Sequence, residues 1–405
     1  MRVLFTPMAW PTHYFQMVGM AWAFRAAGHD VRVAGQPPVL DAVKGTGITA
    51  VRVGGGYDII AGIADLVRVR DEMAREAKVE GPGRFPPEML KKLLELRMVP
   101  HISAAADMAG DLADLVRAWR PDLVITDPVV YAAPIAAAVA GAPLVRHLWG
   151  PDMTRLIALP GTGPTEAEDF RAAWPAELVD LYARYGAKAE PDVAVRTLDT
   201  TPASLQLPGV PHRVALRYTS YNGAGEVPRW LLDPPARPRI CVTWGSSSTA
   251  LLGPDAFMVP TILRALDGLD AEIVVAVRAA DRERVGPVPD GVRVVESMPL
   301  DLLLPTCRGV VHQSGAGTAL TAAFAGVPQV TLPRVADQDL VSERLAATGA
   351  GIGLAPREAD ADGIRAAVSR ILFEEGTAAA ATRLQAEMLA QPSPAEIVRL
   401  LEELL

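Results

Sequence analysis

The chain has 405 residues, half of them hydrophobic and 21% charged, an ordinary globular composition with length for two or three domains. Acidic residues (47) outnumber basic ones (39), and the formal net charge of −8 argues against an extended nucleic-acid surface. No run is long and apolar enough to span a bilayer; the nearest, YAAPIAAAVAGAPLV from Tyr131, is broken by proline and glycine and reads as a buried helix feeding a strand.

The N-terminal RVLFTP reads as a first strand and not as a signal peptide, since it lacks a long apolar region and a small-residue cleavage site. A helix is expected over Phe15–Ala27, a stop at Gly28-His29-Asp30, and a strand at VRVAG. From Gly54 to Arg120 the pattern is helical and charged, interrupted by EGPGRFPP, which predicts a mobile loop. PDLVITD and PLVRHLW are further strands, on either side of the alanine-rich helix.

YTSYNGAGEVPRWLLDPPARP, dense in proline and glycine, predicts an interdomain linker. Strand–helix alternation then restarts with RICVTWG, a helix near Phe257–Leu266, AEIVVAV, VRVVES, GVVHQ, PQVTLP and GIGLA, and three helical segments finish the chain. Two alternating blocks imply an α/β protein of two doubly wound domains facing a cleft, at residues 1–218 and 238–388, with a linker at 219–237. The last helix, in 389–405, is expected to pack back on the first domain. Cys241 and Cys307, each at the edge of an apolar run, read as buried thiols in a reducing cytoplasm.

Ligands of such folds sit beyond the carboxyl ends of parallel strands. There GVVHQ runs into SGAGTALTAAFAG, a strand entering a helix through Gly315, Ala316 and Gly317. Glycine lets a ligand approach the backbone, and the free N–H groups of a helix start attract an anion. Ser314 and Thr318 add hydroxyls, and His312 on the strand end adds a further donor. A Walker loop would need lysine, and a dinucleotide fingerprint would need a third glycine near Leu320; neither is present. Alone, the turn is equally readable as one that needs glycine only to pack. Asp337 and Gln338 after PQVTLP, with Gly245, Ser246 and Ser247 after RICVTW, fall on the same sheet edge. Helix caps and turns are the plain alternatives for each. Together they favour a nucleotide-sugar site.

These segments resemble the nucleotide-sugar-dependent glycosyltransferases of the GT-B fold, two Rossmann-like domains about a cleft. The actinobacterial branch that glycosylates macrolides, aromatic polyketides and enediynes is the most similar. The resemblance rests on PTHYFQMVGMAWAFRAAGHDVRVA, PDLVITDP, YNGAGEVPRWL, RPRICVTWGSSS, LLLPTCRGVVHQSGAGT and AGVPQVTLPRVADQ, and covers nearly the whole chain. It implies that Gly245–Ser247 and the loop from His312 to Thr318 hold a diphosphate, and that Asp337 and Gln338 hold sugar hydroxyls. Met298, in ESMP, would lie near a thymine or uracil ring. The family often has His-His-Gly-Gly where this chain has His312, Gln313, Ser314 and Gly315. The helix after the loop has no acid to hold ribose hydroxyls, which favours deoxyribose and hence a dTDP-sugar co-substrate.

Glycosyl transfer needs a base for the acceptor hydroxyl. His13 follows the first strand at the start of the first helix, where the dipole opposes a cation and suits a base that begins uncharged. Asp127 ends LVITD at the same edge, placed to orient the imidazole and stabilise the charge it gains. Singly, each is readable as a satisfied loop residue or a helix cap; together, at the family's positions, they read as a catalytic dyad. His29, His101, His147 and His212 lack comparable partners and are assigned no role. The expected reaction is an inverting single displacement without a metal, since Asp337-Gln338-Asp339 is assigned to the sugar and Asp360-Ala361-Asp362 starts a helix.

Trp10, Phe85, Met89 and Trp149 are candidates to line a pocket for a hydrophobic aglycone, with core packing as the alternative. Ile63–Arg117 would form an acceptor flap, the contact for an auxiliary activator protein that some relatives need, or simply a helical cap over the first sheet. A homodimer is compatible with this reading. Two other functions stay open: a nucleotide-sugar epimerase on the same fold, and a donor-binding subunit that activates a partner.

Overall fold

The computed structural model describes residues 1–76, 86–163 and 170–404. Among the described residues thirteen strands form two all-parallel sheets. In the first sheet these are β1 (Arg2–Thr6), β2 (Asp30–Gly35), β3 (Thr49–Arg52), β4 (Leu123–Thr126), β5 (Leu144–His147), β6 (Arg196–Asp199) and β7 (Arg213–Ala215). The second holds β8 (Arg239–Thr243), β9 (Glu272–Val277), β10 (Arg293–Glu296), β11 (Gly309–His312), β12 (Gln329–Thr331) and β13 (Gly351–Gly353). Their orders are β3-β2-β1-β4-β5-β6-β7 and β10-β9-β8-β11-β12-β13. The segment 219–237 falls between the two sheets.

Helices cover both faces of each sheet, so central strands are buried along their length: LVIT of β4, RICVT of β8 and GVVH of β11 are buried at every residue. The edge strands β3 and β10 are half-exposed. The expected strands are all present; β3, β6 and β7 are further ones, whose sequences TAVR, RTLD and RVA carry no apolar run. The first helix begins at Pro11, four residues before the expected start, because proline at its first position supplies the helical φ without needing a hydrogen-bond partner. Cys241 is buried, whereas Cys307, expected to be, is only partly so; both are unpaired. Among the described residues no helix is long and apolar enough to cross a membrane.

The final helix, Pro394–Glu402, opens on a capping box in which Ser393 and Glu396 satisfy each other's backbone N–H groups. Its Ile397, Val398 and Leu401 join the first domain's core cluster with Val3, Phe5, Met17 and Phe24. Glu402 pairs with His29 at 2.9 Å, and His29 also bonds the N-terminal amine at 3.1 Å. The chain's end thus closes over its beginning.

Leu401 is fully buried, while its neighbour Leu400 is 37% exposed. Leu401→Ala is expected to cost about 2–5 kcal/mol, and Leu400→Ala within about 0.5 kcal/mol, in urea unfolding monitored by circular dichroism. Equal effects would show that this helix does not close the fold as described.

Candidate active site

The strand order of each sheet reverses beside its first strand, between β1 and β4 and between β8 and β11. The loops after these strands diverge to opposite faces and leave a crevice. His13 and Asp127 flank the first crevice; Gly245–Ser247 and Gln313–Thr318 flank the second.

His13 is the third residue of the helix Pro11–Ala26, and its Nδ1 lies 2.6 Å from Asp127 Oδ2. Asp127 is 1% exposed; its Oδ1 accepts from Val129 N–H at 3.1 Å, and its own N–H donates to the Thr6 carbonyl at 3.1 Å. The acid is therefore fixed to both strands. A carboxylate only accepts, so the shared proton belongs to Nδ1 and the His13 Nε2 lone pair is free. Trp149 lies across the imidazole with ring centroids 4.7 Å apart. His13 faces a cavity of about 270 Å³ that is also lined by Trp10, Trp149, Asp337 and the residues Gly315–Thr318.

In the second domain, β11 enters the helix Ala316–Phe324 through Gln313, Ser314 and Gly315. Ser314 takes a left-handed conformation (φ 69°). The first intrahelical bond runs from Ala319 N–H to the Gly315 carbonyl at 2.9 Å, so the N–H groups of Ala316, Gly317 and Thr318 precede it. They line the cavity shared with His13. Opposite them, a Cβ on Gly245 would stand 2.1 Å from Gln313 Nε2, so a side chain there would have to displace that carboxamide. Ser246 accepts from Trp10 Nε1 at 3.2 Å, a bond from one domain to the other.

A second cavity of about 370 Å³ shares Gly245, Ser246, Gly317 and Thr318 with the first and continues to Met298, Ser297, Arg278 and Trp244. The loop expected to hold a diphosphate thus separates a compartment containing the histidine from one containing the expected base contact.

Several expected contacts are displaced. His312 is fully buried behind the loop, with Nε2 at 2.9 Å from Gln329 Oε1 and Nδ1 accepting from Ser314 N–H at 3.1 Å. Both ring nitrogens are spent inside the protein, and burial pulls its pKa down to about 4. In this structure it is an uncharged support of the loop and not a direct ligand. Ser314 is likewise fully buried. Gln338 is also fully buried; it bonds Ser247 Oγ at 3.2 Å, Ser248 Oγ at 3.0 Å and Arg334 N–H at 3.0 Å, which removes it from the cavity wall. Asp337 does line the cavity, and burial raises its carboxyl pKa above the ordinary value, opposed by its backbone hydrogen bonds and by His13. Asp360 caps its helix by accepting from Gly363 N–H at 2.8 Å.

Of the acceptor-pocket candidates, Trp10 and Trp149 line the cavity. Met89, on the helix Pro87–Leu96, does not; Phe85 and most of the expected loop at 80–87 lie outside the described residues. The helices Ile59–Glu76 and Val99–Trp119 contribute Ile63 and His101 to the wall. His101 had been assigned no role, and nothing local in its sequence marks it; a fold brings it to Val129. Thr12 and Gln16 line both cavities. Gln16 was within reach of sequence reasoning, since a helical residue three places beyond His13 shares its face.

Two doubly wound domains with a divided cleft, a phosphate-type helix start and a histidine–carboxylate pair opposite it define a GT-B glycosyltransferase. The chain belongs to the erythromycin biosynthesis protein CIII-like family, whose N-terminal model matches residues 22–245 and whose C-terminal model matches residues 260–404. It is 40% identical to 10-deoxymethynolide desosaminyltransferase of Streptomyces venezuelae, over all of this chain and 97% of that one. Tylactone mycaminosyltransferase of Streptomyces fradiae is 39% identical over 100% and 92% of the two chains. Among solved structures, spinosyn rhamnosyltransferase SpnG complexed with thymidine diphosphate superposes with a TM-score of 0.81 at 30% identity, covering 99% of this chain and 100% of that one. Glycosyltransferase VinC in complex with dTDP gives 0.77 at 30% identity, covering 100% and 99%.

The buried His312 makes stability depend on pH. Its pKa falls from 6.5 to about 4 on folding, so between those values the unfolded chain takes up a proton that the folded one refuses. Stability is full above pH 6.5 and is lost as pH falls toward 4. His101 and His147 shift the same way. His312→Gln should remove up to about 1.4 kcal/mol per pH unit from the pH dependence of urea unfolding in this window. An unchanged slope would contradict the buried, neutral ring.

Proposed function

We propose that this glycosyltransferase moves a deoxysugar from a dTDP-sugar to a hydroxyl of a hydrophobic natural-product aglycone, by a single displacement that inverts the anomeric centre. The observation that carries the reading is the His13–Asp127 pair, 2.6 Å apart, on the wall of a cavity that also holds the phosphate-type helix start. The desosaminyl- and mycaminosyltransferase relatives, and the thymidine diphosphate in the SpnG and VinC complexes, support the donor class.

The acceptor hydroxyl gives its proton to Nε2 of His13 as its oxygen attacks the anomeric carbon, and the bond from that carbon to the diphosphate oxygen breaks. Asp127 steadies the imidazolium that forms. The departing diphosphate carries its new charge to the first-turn N–H groups of Ala316, Gly317 and Thr318 and to Ser246, donors fixed before the reaction begins. Asp337 takes sugar hydroxyls beside His13. Met298 lies against the thymine. Ile63, His101, Trp10 and Trp149 form the acceptor side, which makes the helices around Ile63–Arg117 an acceptor wall. The reading invokes no metal.

His13→Ala and Asp127→Asn are expected to slow transfer by about 10²–10⁴-fold while leaving dTDP affinity nearly unchanged, measured by product formation and calorimetry. Full turnover by both variants sinks the dyad. Conversion of the donor sugar without any acceptor would point to epimerisation instead.

A further inference from the structure

Trp10 immediately precedes the helix Pro11–Ala26, and its carbonyl accepts from His13 N–H at 3.0 Å. The turn that carries the base is therefore bonded to Trp10. Across the cleft, the Trp10 indole Nε1–H donates to Ser246 Oγ at 3.2 Å. Ser246 opens the helix Ser246–Leu252 and lines both cavities, while Trp10 lines the first. Both residues are partly exposed, so the bond lies at the wall of the ligand space and not behind it.

An indole N–H only donates, which settles the direction of this bond: Ser246 Oγ is the acceptor. A lone pair of the hydroxyl faces the indole, and its own proton must point elsewhere. No acceptor among the described residues takes that proton. Ser247, the next hydroxyl of the loop, is held from within its own domain, where its Oγ accepts from Gln338 Nε2 at 3.2 Å. Ser246 takes its orienting donor from the other domain.

A free hydroxyl proton on an atom that borders both cavities suits an anionic oxygen at the divide between them. Resting on the donor reading above, we propose that Trp10 is a positioning residue for the leaving group: its indole N–H turns the Ser246 hydroxyl toward the diphosphate. As the anomeric C–O bond breaks, its electron pair passes to the diphosphate oxygen, and the aimed hydroxyl meets that charge without first having to rotate. One turn of the first domain then supplies the base and also orients a donor for the departing group. Separation of the domains breaks the bond and leaves Ser246 free to turn.

Calorimetric titration of wild type, Trp10→Phe, Ser246→Ala and the double variant with thymidine diphosphate tests this, with thymidine as a competing ligand that lacks the phosphates. Ser246→Ala should weaken thymidine diphosphate binding about tenfold or more, the worth of a hydrogen bond to a charged group, and Trp10→Phe about three- to tenfold. The double variant should bind no more weakly than Ser246→Ala alone, because the indole acts through the hydroxyl. Thymidine should bind all four proteins alike. Additive losses, unchanged thymidine diphosphate binding by Trp10→Phe, or an equal loss of thymidine binding in that variant overturns the role of Trp10 and leaves the donor reading intact. The last of these would mean that the indole only holds the domains together. Wild-type affinity in Ser246→Ala, or failure of wild type to bind thymidine diphosphate, overturns both. Trp10→Met, which also lacks the N–H, takes the place of Trp10→Phe if that variant does not fold.

Discussion

A parallel sheet opens a gap where its strand order reverses, because the connections from the two adjacent strands leave toward opposite faces. Both sheets here reverse beside their own first strand, and everything reactive collects at those two gaps. His13 follows β1 and Asp127 follows β4; Gly245 follows β8 and the glycine loop follows β11. Each pair follows adjacent strands joined by backbone hydrogen bonds, so the points from which the two segments leave the sheet are fixed relative to one another. What the domains must add is only their mutual approach, and the bond from Trp10 to Ser246 is one point where that approach is made.

Beneath the gap of the second sheet lie buried polar side chains, His312 and Gln338, that do not line the cavity. His312 with Gln329, and Gln338 with Ser247, Ser248 and Arg334, hold the two loops of the second domain from behind. Burying such groups is costly unless they are paired, and here the pairing partners are the loops themselves. The desolvation already met in folding fixes loop geometry before a ligand arrives, which is what stabilisation of a departing charge requires. A motif therefore contains two kinds of residue, those that touch the ligand and those that hold the ones that do.

That division was not legible in the sequence, although most else was. The glycine loop, the Asp-Gln pair and the dyad stood at strand ends, and the alternation of strands and helices located those ends. The strands β3, β6 and β7 escaped where others as short were read, because TAVR, RTLD and RVA mix one or two apolar residues with polar ones and form no apolar run. Whether a histidine at a strand end points into the cleft or behind it depends on side-chain direction, and adjacent residues of an extended strand face opposite ways. Gln329, seventeen residues beyond His312 in the sequence, decides that direction through one hydrogen bond. His101 illustrates the converse: its place in the cavity wall comes from the long helix Val99–Trp119 passing over the first sheet, and nothing local signals it.

The helix Pro11–Ala26 connects these levels. Its sixteen residues form a rigid rod about 24 Å long. One end presents His13 and Gln16 to the cleft, where Gln16 meets Gly317 of the second domain. The rest buries Met17, Met20, Ala21 and Phe24 in a cluster shared with Ile397, Val398 and Leu401 of the final helix. That final helix follows the second domain in sequence yet packs on the first. The rod is thus contacted by the second domain at its tip and by the chain's last segment along its flank. Any change in the angle between the domains must move or strain these contacts, and through them His13. The position of the base is in this way a property of the whole closed molecule and not of the first domain alone.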